Sequence, residues 1–292
     1  MFDLLLSSTS QGLLWATIGI GLFITFRILN ITDMTVEGSY PLGAAVSVSM
    51  IHAGLNPVVS ILIAIFSGMI AGLVTGMLTT IGKIPSLLAG ILTMTGLYSV
   101  NLLVMGNKAN LSLLGYKTIF NSDLLRFIPQ NFRALFIGIL IVTVLIALMF
   151  WFLNTQLGQA FIATGDNPIM AESIGIDTRK MSILGLVISN AIVATGGAVI
   201  AQSDGYADVN KGIGTIVVAL ASIVIAEVIY NDQLTLGQRL ITIVLGSIIY
   251  RIVILIVLSI GLDANLMKLI SAVLLAAALI FPNIRKRSLI KK

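Results

Sequence analysis

The chain has no cysteine, one histidine and six prolines, and only 10% of its 292 residues are charged. Without cysteine there is no disulfide and no thiolate for zinc. His52 is the only imidazole, so Cys–His chemistry is excluded and an intramembrane enzyme ranks last among the readings. A soluble domain carries about 25% charged residues. Here 58% of residues are hydrophobic and the mean hydropathy is +1.07. Those values describe a polytopic membrane protein: an all-α helix bundle, with residues 1–292 as one intramembrane domain. The N-terminus has no Lys or Arg before its first apolar run, so it lacks a secretory signal's basic region. The net charge of +5 sits largely in loops and the tail. It reads as membrane orientation, not as a nucleic-acid footprint.

Eight clear spans are expected, with a ninth segment in question. The spans are 13–29, 56–81, 86–104, 132–152, 182–200, 213–230, 240–258 and 265–281. Between the first two lies NITDMTVEGSYPLGAAVSVSM, where Asp33 and Glu37 precede a short apolar stretch holding Pro41 and Gly43. One reading is a broken or partly re-entrant segment, tolerated only inside protein or along a cavity. The other is an interfacial loop followed by a short helix. Ser60, Ala64, Gly68, Gly72, Gly76 and Thr80 recur every four residues along the second span. Such a ridge lets helix backbones approach, either between subunits or, as slightly preferred, within one. Gly76 to Lys83 is a near miss for a phosphate-binding loop. Five residues, not four, separate Gly76 from Gly82, and Ile84 stands where a magnesium-holding Ser or Thr is needed. If ATP drives this protein, another chain binds it.

The most informative stretch is QAFIATGDNPIMAESIGIDTRKM, 159–181, between two apolar runs. Asn167 suits a helix cap, Pro168 the first helical position, and Gly175 a left-handed stop. A helix from Pro168 to Ile174 is only about 10 Å long at ~1.5 Å per residue, so it cannot cross a bilayer. It would lie on the surface, showing Ile169, Met170 and Ile174 as an apolar stripe. An ordinary polar loop fits equally well on periodicity alone.

The basic tail, Arg285, Lys286, Arg287, Lys291 and Lys292, places the C-terminus in the cytoplasm. Counting back four spans puts 159–181 on the same side, and Arg179 and Lys180 agree with that. The polar loop 105–131 then falls outside although it is basic, and the N-terminal side stays open. At that length the loop is expected to be folded or a docking surface. His52 is expected to be interfacial. Glu227 and Arg251 sit within spans, where charge is costly and function is the default reading; an internal salt bridge or helix-end anchor is the alternative. Their spacing argues against pairing with each other. Glu227 is expected at the inner surface, and Arg251 to snorkel outward or meet the bundle interior. Asn101 and Asn190 suit helix–helix hydrogen bonds.

Taken together, three stretches resemble the permease subunits of ABC importers that serve branched-chain amino acids, ribose-type sugars and nucleosides. They are LNITDMTVEGSYPLGAAV, ATGDNPIMAESIGI and GTIVVALASIVIAEVI, and the resemblance covers nearly the whole chain. The second is the most specific, matching at Gly165, Asn167, Pro168, Ala171, Gly175 and Ile176. The first looks closest to members that work with tryptophan- or tyrosine-type binding proteins. The resemblance implies that Gly165, Asp166, Asn167, Pro168, Ile169, Met170, Glu172 and Gly175 form a cytoplasmic coupling helix that docks on an ATPase subunit. It implies a homodimer of permeases in the cell membrane, two ATP-binding cassette subunits that hold ATP and magnesium, and an extracytoplasmic solute-binding protein. This chain itself would need no cofactor, metal or nucleic acid. Asp33, Thr35, Glu37, Ser39, Ser189 and Asn190 are the candidate walls of the substrate path. The expected solute is an aromatic or branched-chain amino acid, with nucleosides or sugars as the alternative. A secondary transporter using Asp33, Glu37 and Glu227 as ion-binding groups is the competing class. No clear inverted repeat is visible in the residues.

Overall fold

The computed structural model describes residues 2–122, 127–229, 235–260 and 266–290. Asp123, Arg126, Lys291 and Lys292 lie outside the described residues, as do the side chains of Arg285, Lys286 and Arg287. In chain order the helices are α1 (Phe2–Phe23), α2 (Val36–His52), α3 (Pro57–Thr80), α4 (Ser86–Val104), α5 (Gln130–Leu153) and α6 (Gln156–Asp166). They continue with α7 (Pro168–Ser173), α8 (Thr178–Asp204), α9 (Thr215–Ile229), α10 (Leu236–Ser259) and α11 (Met267–Ile290). Two short strands, β1 (Asn110–Ser112) and β2 (Tyr206–Asp208), pair antiparallel with Leu111 opposite Ala207. Among the described residues seven helices are long and apolar enough to cross a membrane; α2 and the apolar part of α11, Met267–Ile280, are shorter.

The segment around Pro41 resolves into two parts. Residues 29–35 are non-helical, and α2 then runs through Pro41 without ending. Backbone within residues 29–35 bonds to protein: Ile31 N donates to Thr25 O at 2.8 Å, and Thr35 N to Asp33 Oδ1 at 2.9 Å. Non-helical chain is tolerated at depth on that condition. The break follows a π-helical turn, Ile24–Ile28, that closes the end of α1.

Packing supplies a symmetry that the residues hide. Helices α1–α4 and α8–α11 form two quartets with the same neighbours. In each, the second helix packs on the third and fourth of its own quartet and on the first of the other. The third helix of each quartet lies against the first of the other: α3 on α8, and α10 on α1. The leading helices run antiparallel, since Gly21 meets Ser189 while Gly196 meets Thr17. This is an inverted repeat in the packing, although no clear one is visible in the residues.

The small-residue ridge of α3 lies inside the chain, against α8. A Cβ on Gly68 would stand 2.4 Å from the carbonyl oxygen of Asn190, and one on Gly72 would stand 2.2 Å from that of Leu186. Asn56 caps α3 by accepting from Val58 N at 2.9 Å, with Pro57 at the first helical position. On the opposite face Phe66, Ile70 and Val74 are exposed, as a surface in lipid permits.

At the end of the bundle opposite α7, β1 and β2 join the α4–α5 connection to the α8–α9 connection. His52 Nε2 lies 2.7 Å from Ser112 O and its ring is 4.2 Å from that of Tyr116, which is the interfacial placement expected. The loop 105–131 is thus folded over its described length.

Gly72→Ala is expected to cost about 1–3 kcal/mol of stability, because backbone on α8 must move. Gly96→Ala, whose Cβ would meet nothing within 4 Å, should instead gain about 0.5–1 kcal/mol. Unfolding of the purified variants by SDS titration reads both signs.

Candidate functional site

The stretch 159–181 forms two helices where the residues suggested one. Thr155 caps α6 by accepting from Gly158 N at 3.1 Å. The α6 helix is tucked under the bundle by Phe161, which is fully buried and meets Phe152 edge-on at 5.9 Å. Its amphipathic pattern is legible in the residues, but it sits too close to α5 to stand out as a separate element.

The α7 helix forms as its signals require. Asn167 Oδ1 accepts from Met170 N at 3.1 Å, Pro168 opens the helix, and Gly175 stops it at φ +89°. The helix ends at Ser173, one residue short of the expected Ile174. Ala171 is buried beneath it, while Ile169, Met170 and Ile174 are 82, 63 and 65% exposed. Glu172 accepts from Thr178 Oγ1 at 2.5 Å, tying α7 to the start of α8. There Asp177 caps α8, and the Lys180 amide and side chain hold its carboxyl below the usual range.

A tight contact links this surface element to the break after α1. Asn30, at φ +55°, donates from Nδ2 to Gly165 O at 3.1 Å. Gly165 lies so close to Ile28 that a Cβ would stand 1.6 Å from the Ile28 carbonyl oxygen, so only glycine fits. One residue before Ile28, Arg27 makes a two-pronged pair with Glu227 near the end of α9. Arg27 Nε donates to Glu227 Oε1 at 2.6 Å. Sequence spacing placed Glu227 at this end correctly but could not name Arg27, two hundred residues away.

On the other side of Asn30, Asp33 enters a buried polar cluster. Asn190 Nδ2 donates to Asp33 Oδ2 at 2.8 Å and to Leu186 O at 2.9 Å, while Ser39 Oγ donates to Asn190 Oδ1 at 2.7 Å. Thr35 Oγ1 lies 2.7 Å from Thr75 Oγ1, which reaches Thr93 Oγ1 at 2.9 Å. Ser189 donates to Gly21 O at 2.7 Å. Glu37 accepts from Gly214 N at 2.9 Å, so it ties α2 to the turn before α9. Of the six candidate path residues, Asp33, Thr35, Ser39, Ser189 and Asn190 are buried between helices of this one chain; Glu37 is half-buried. The three carboxylates that an ion-coupled mechanism would need are thus held by Asn190 and Thr35, by Gly214, and by Arg27. No group of His, Asp or Glu fit to hold a metal is found among the described residues.

A polytopic bundle with an inverted repeat, a capped surface helix and a buried polar seam is the architecture of a membrane permease. Comparison with known proteins gives the family. The model for "Branched-chain amino acid transport system / permease component" matches residues 4–279. The chain is 38% identical over 280 residues to the tyrosine transport system permease protein of Clostridioides difficile (strain R20291), covering 96% of this chain and 92% of that protein. An uncharacterised protein of Rickettsia prowazekii (strain Madrid E) is 34% identical over 281 residues, covering 95% of this chain and 97% of its own. The autoinducer 2 import system permease protein LsrC of Yersinia pseudotuberculosis serotype O:3 (strain YPIII) is 30% identical over 230 residues, 76% of this chain and 60% of that one. The chain belongs to this family of ABC importer permeases, which are multi-pass membrane subunits and not enzymes. Such subunits work with ATPase and solute-binding partners.

Asn190→Ala removes a donor from the Asp33 carboxylate and leaves it buried. A hydrogen bond to a charged group is worth about 1.5–3 kcal/mol, so a loss of that size is expected in SDS unfolding. Ser39→Ala should lose about 1 kcal/mol.

Proposed function

We propose that this chain is the permease of an amino-acid importer, built as a homodimer with two ATPase subunits and an extracytoplasmic binding protein, and with its C-terminus in the cytoplasm. The observation that carries the reading is α7. Ile169 and Met170, on a helix whose cap and stop are both formed, and Ile174 just past its end stand in the open. A helix of that kind at the surface is shaped for a partner's groove. Gly165, Asp166, Asn167, Pro168, Glu172 and Gly175 set its place and length. The tyrosine-permease name of a relative aligned over 92% of its length supports an aromatic or branched-chain amino acid as solute.

The route from α7 inward is short. ATP-driven closure of the ATPase pair would shift α6 and α7. Gly165 would carry that shift to residues 28–30, because no side chain cushions the contact. From there it reaches α9 through Arg27 and Glu227, and α8 through Asp33 and Asn190. Packed interiors hold two discrete arrangements better than a continuum, so helices tilt as units. Asp33, Thr35, Glu37, Ser39, Ser189 and Asn190 fix the helices that wall the path, which runs along the dimer axis.

Met170→Asp is expected to lower tyrosine uptake at least tenfold in vesicles carrying all subunits, with ATP hydrolysis continuing. Unchanged uptake would overturn the coupling role. Competition by tyrosine, leucine, ribose and adenosine in the same vesicles reads the solute class. The Arg27–Glu227 pair is solvent-accessible, so Glu227→Gln should cost at most about 1 kcal/mol of stability. A far larger fall in uptake, restored by the Arg27→Glu/Glu227→Arg exchange, is the expected sign of transmission through the pair.

A further inference from the structure

A cavity apart from α7 lies between α1, α9, α10 and α11, with Gly214, the partner of Glu37, in its wall. It measures about 290 Å³. At its base sits Arg251, eight residues before the end of α10 at Ser259, or about 12 Å in at ~1.5 Å per residue. No carboxylate is paired with Arg251 among the described residues. The guanidinium stacks on Trp15 at 4.2 Å, and Nη1 donates to Gln11 at a long 3.3 Å. Its Nε is sealed from solvent and has no hydrogen-bond partner. A guanidinium left with an open donor in a nonpolar setting is costly, and in membrane proteins such a charge marks a ligand or a pathway.

The surroundings define what could complete it. Lys211 and Lys268 also line the cavity, and Lys211 is matched to Asp204 by an ion pair. Asp204 is therefore already engaged by Lys211, and among the described residues the cavity keeps a surplus of positive charge. Ser271 Oγ donates to Met267 O at 2.7 Å and accepts from Tyr250 Oη at 2.6 Å, so both hydroxyls are engaged. Most of the remaining wall is aliphatic: Ile213, Val217 and Ile254. An Arg guanidinium is the side chain best suited to an oxyanion, and that of Arg251 lines this cavity with no carboxylate paired to it among the described residues.

We propose that this cavity binds an oxyanion carried on an apolar body. A carboxylate or phosphate meets the guanidinium of Arg251 where it lines the cavity, Trp15 holds one face of the guanidinium, and the body lies along Ile213, Val217 and Ile254. The same chemistry is offered by a soluble amphipathic acid and by the headgroup of an anionic lipid, and the test separates them.

The chain has two tryptophans, and Trp151 is exposed on α5. In a Trp151→Phe background Trp15 reports on the cavity alone. The full chain is placed in nanodiscs of phosphatidylcholine and titrated with 3-phenylpropionate, and separately with 3-phenylpropanol, the same body without charge. A parallel set of nanodiscs contains phosphatidylglycerol and no added acid. A saturable change in Trp15 emission with the acid, at least tenfold weaker with the alcohol and in Arg251→Gln, assigns a soluble acid. A change on phosphatidylglycerol that Arg251→Gln abolishes assigns the lipid. No change with either probe, or an equal response to the alcohol or in Arg251→Gln, overturns the site. Should Arg251→Gln fail to reconstitute, the acid–alcohol comparison and the two lipid compositions decide. Neither ATP hydrolysis nor uptake enters the readout, so failure here leaves the importer reading standing.

Discussion

Lipid tails are as apolar as leucine, so helices in a bilayer gain nothing from hiding aliphatic side chains from water. What holds this bundle together is close approach of backbone to backbone, with a few hydrogen bonds between helices. The α3–α8 contact is the strongest case. Gly68 and Gly72 bring α3 down onto the carbonyls of Asn190 and Leu186, and the same stretch of α8 turns Asn190 toward Asp33 and Ser39 on its other side. One helix thus serves as packing surface and as hydrogen-bonding partner at the same place. A larger residue on α3 would lift α8 and strain the polar cluster with it.

That arrangement explains why the break at residues 29–35 survives at depth. Its carboxylate bonds Asn190 on α8, the hydroxyl of Thr35 meets Thr75 on α3, and the amide of Thr35 bonds Asp33 within the break. The break is also where the main chain of α6 meets the interior. Gly165 against Ile28 is a contact between main chains, and Arg27 and Asp33 flank it. On the proposed coupling, motion entering there would have two exits, one to α9 and one to α8.

Much of this was legible in the residues because it rests on local rules. Composition named the solvent, apolar runs set the spans, and Asn167, Pro168 and Gly175 fixed α7 to within one residue. The four-residue recurrence of small side chains located a close contact on α3, though not its partner, since periodicity describes one face only. What stayed hidden is long-range. Arg27 meets Glu227 across two hundred residues, and nothing near either names the other. The inverted repeat is carried by which helices touch, not by which amino acids recur. Arg251 was seen as a costly charge, but the cavity around it belongs to four helices that only the fold assembles.

The β1–β2 pair has a mechanical meaning beyond tidying two loops. It stitches the first quartet's exit to the second quartet's first turn, at the end of the bundle farthest from α7. The quartets already interlock along their length, through α3 on α8 and α1 on α10. The strand pair adds a main-chain strap between two connections at one face, so a partner seated there would meet both as a single rigid surface.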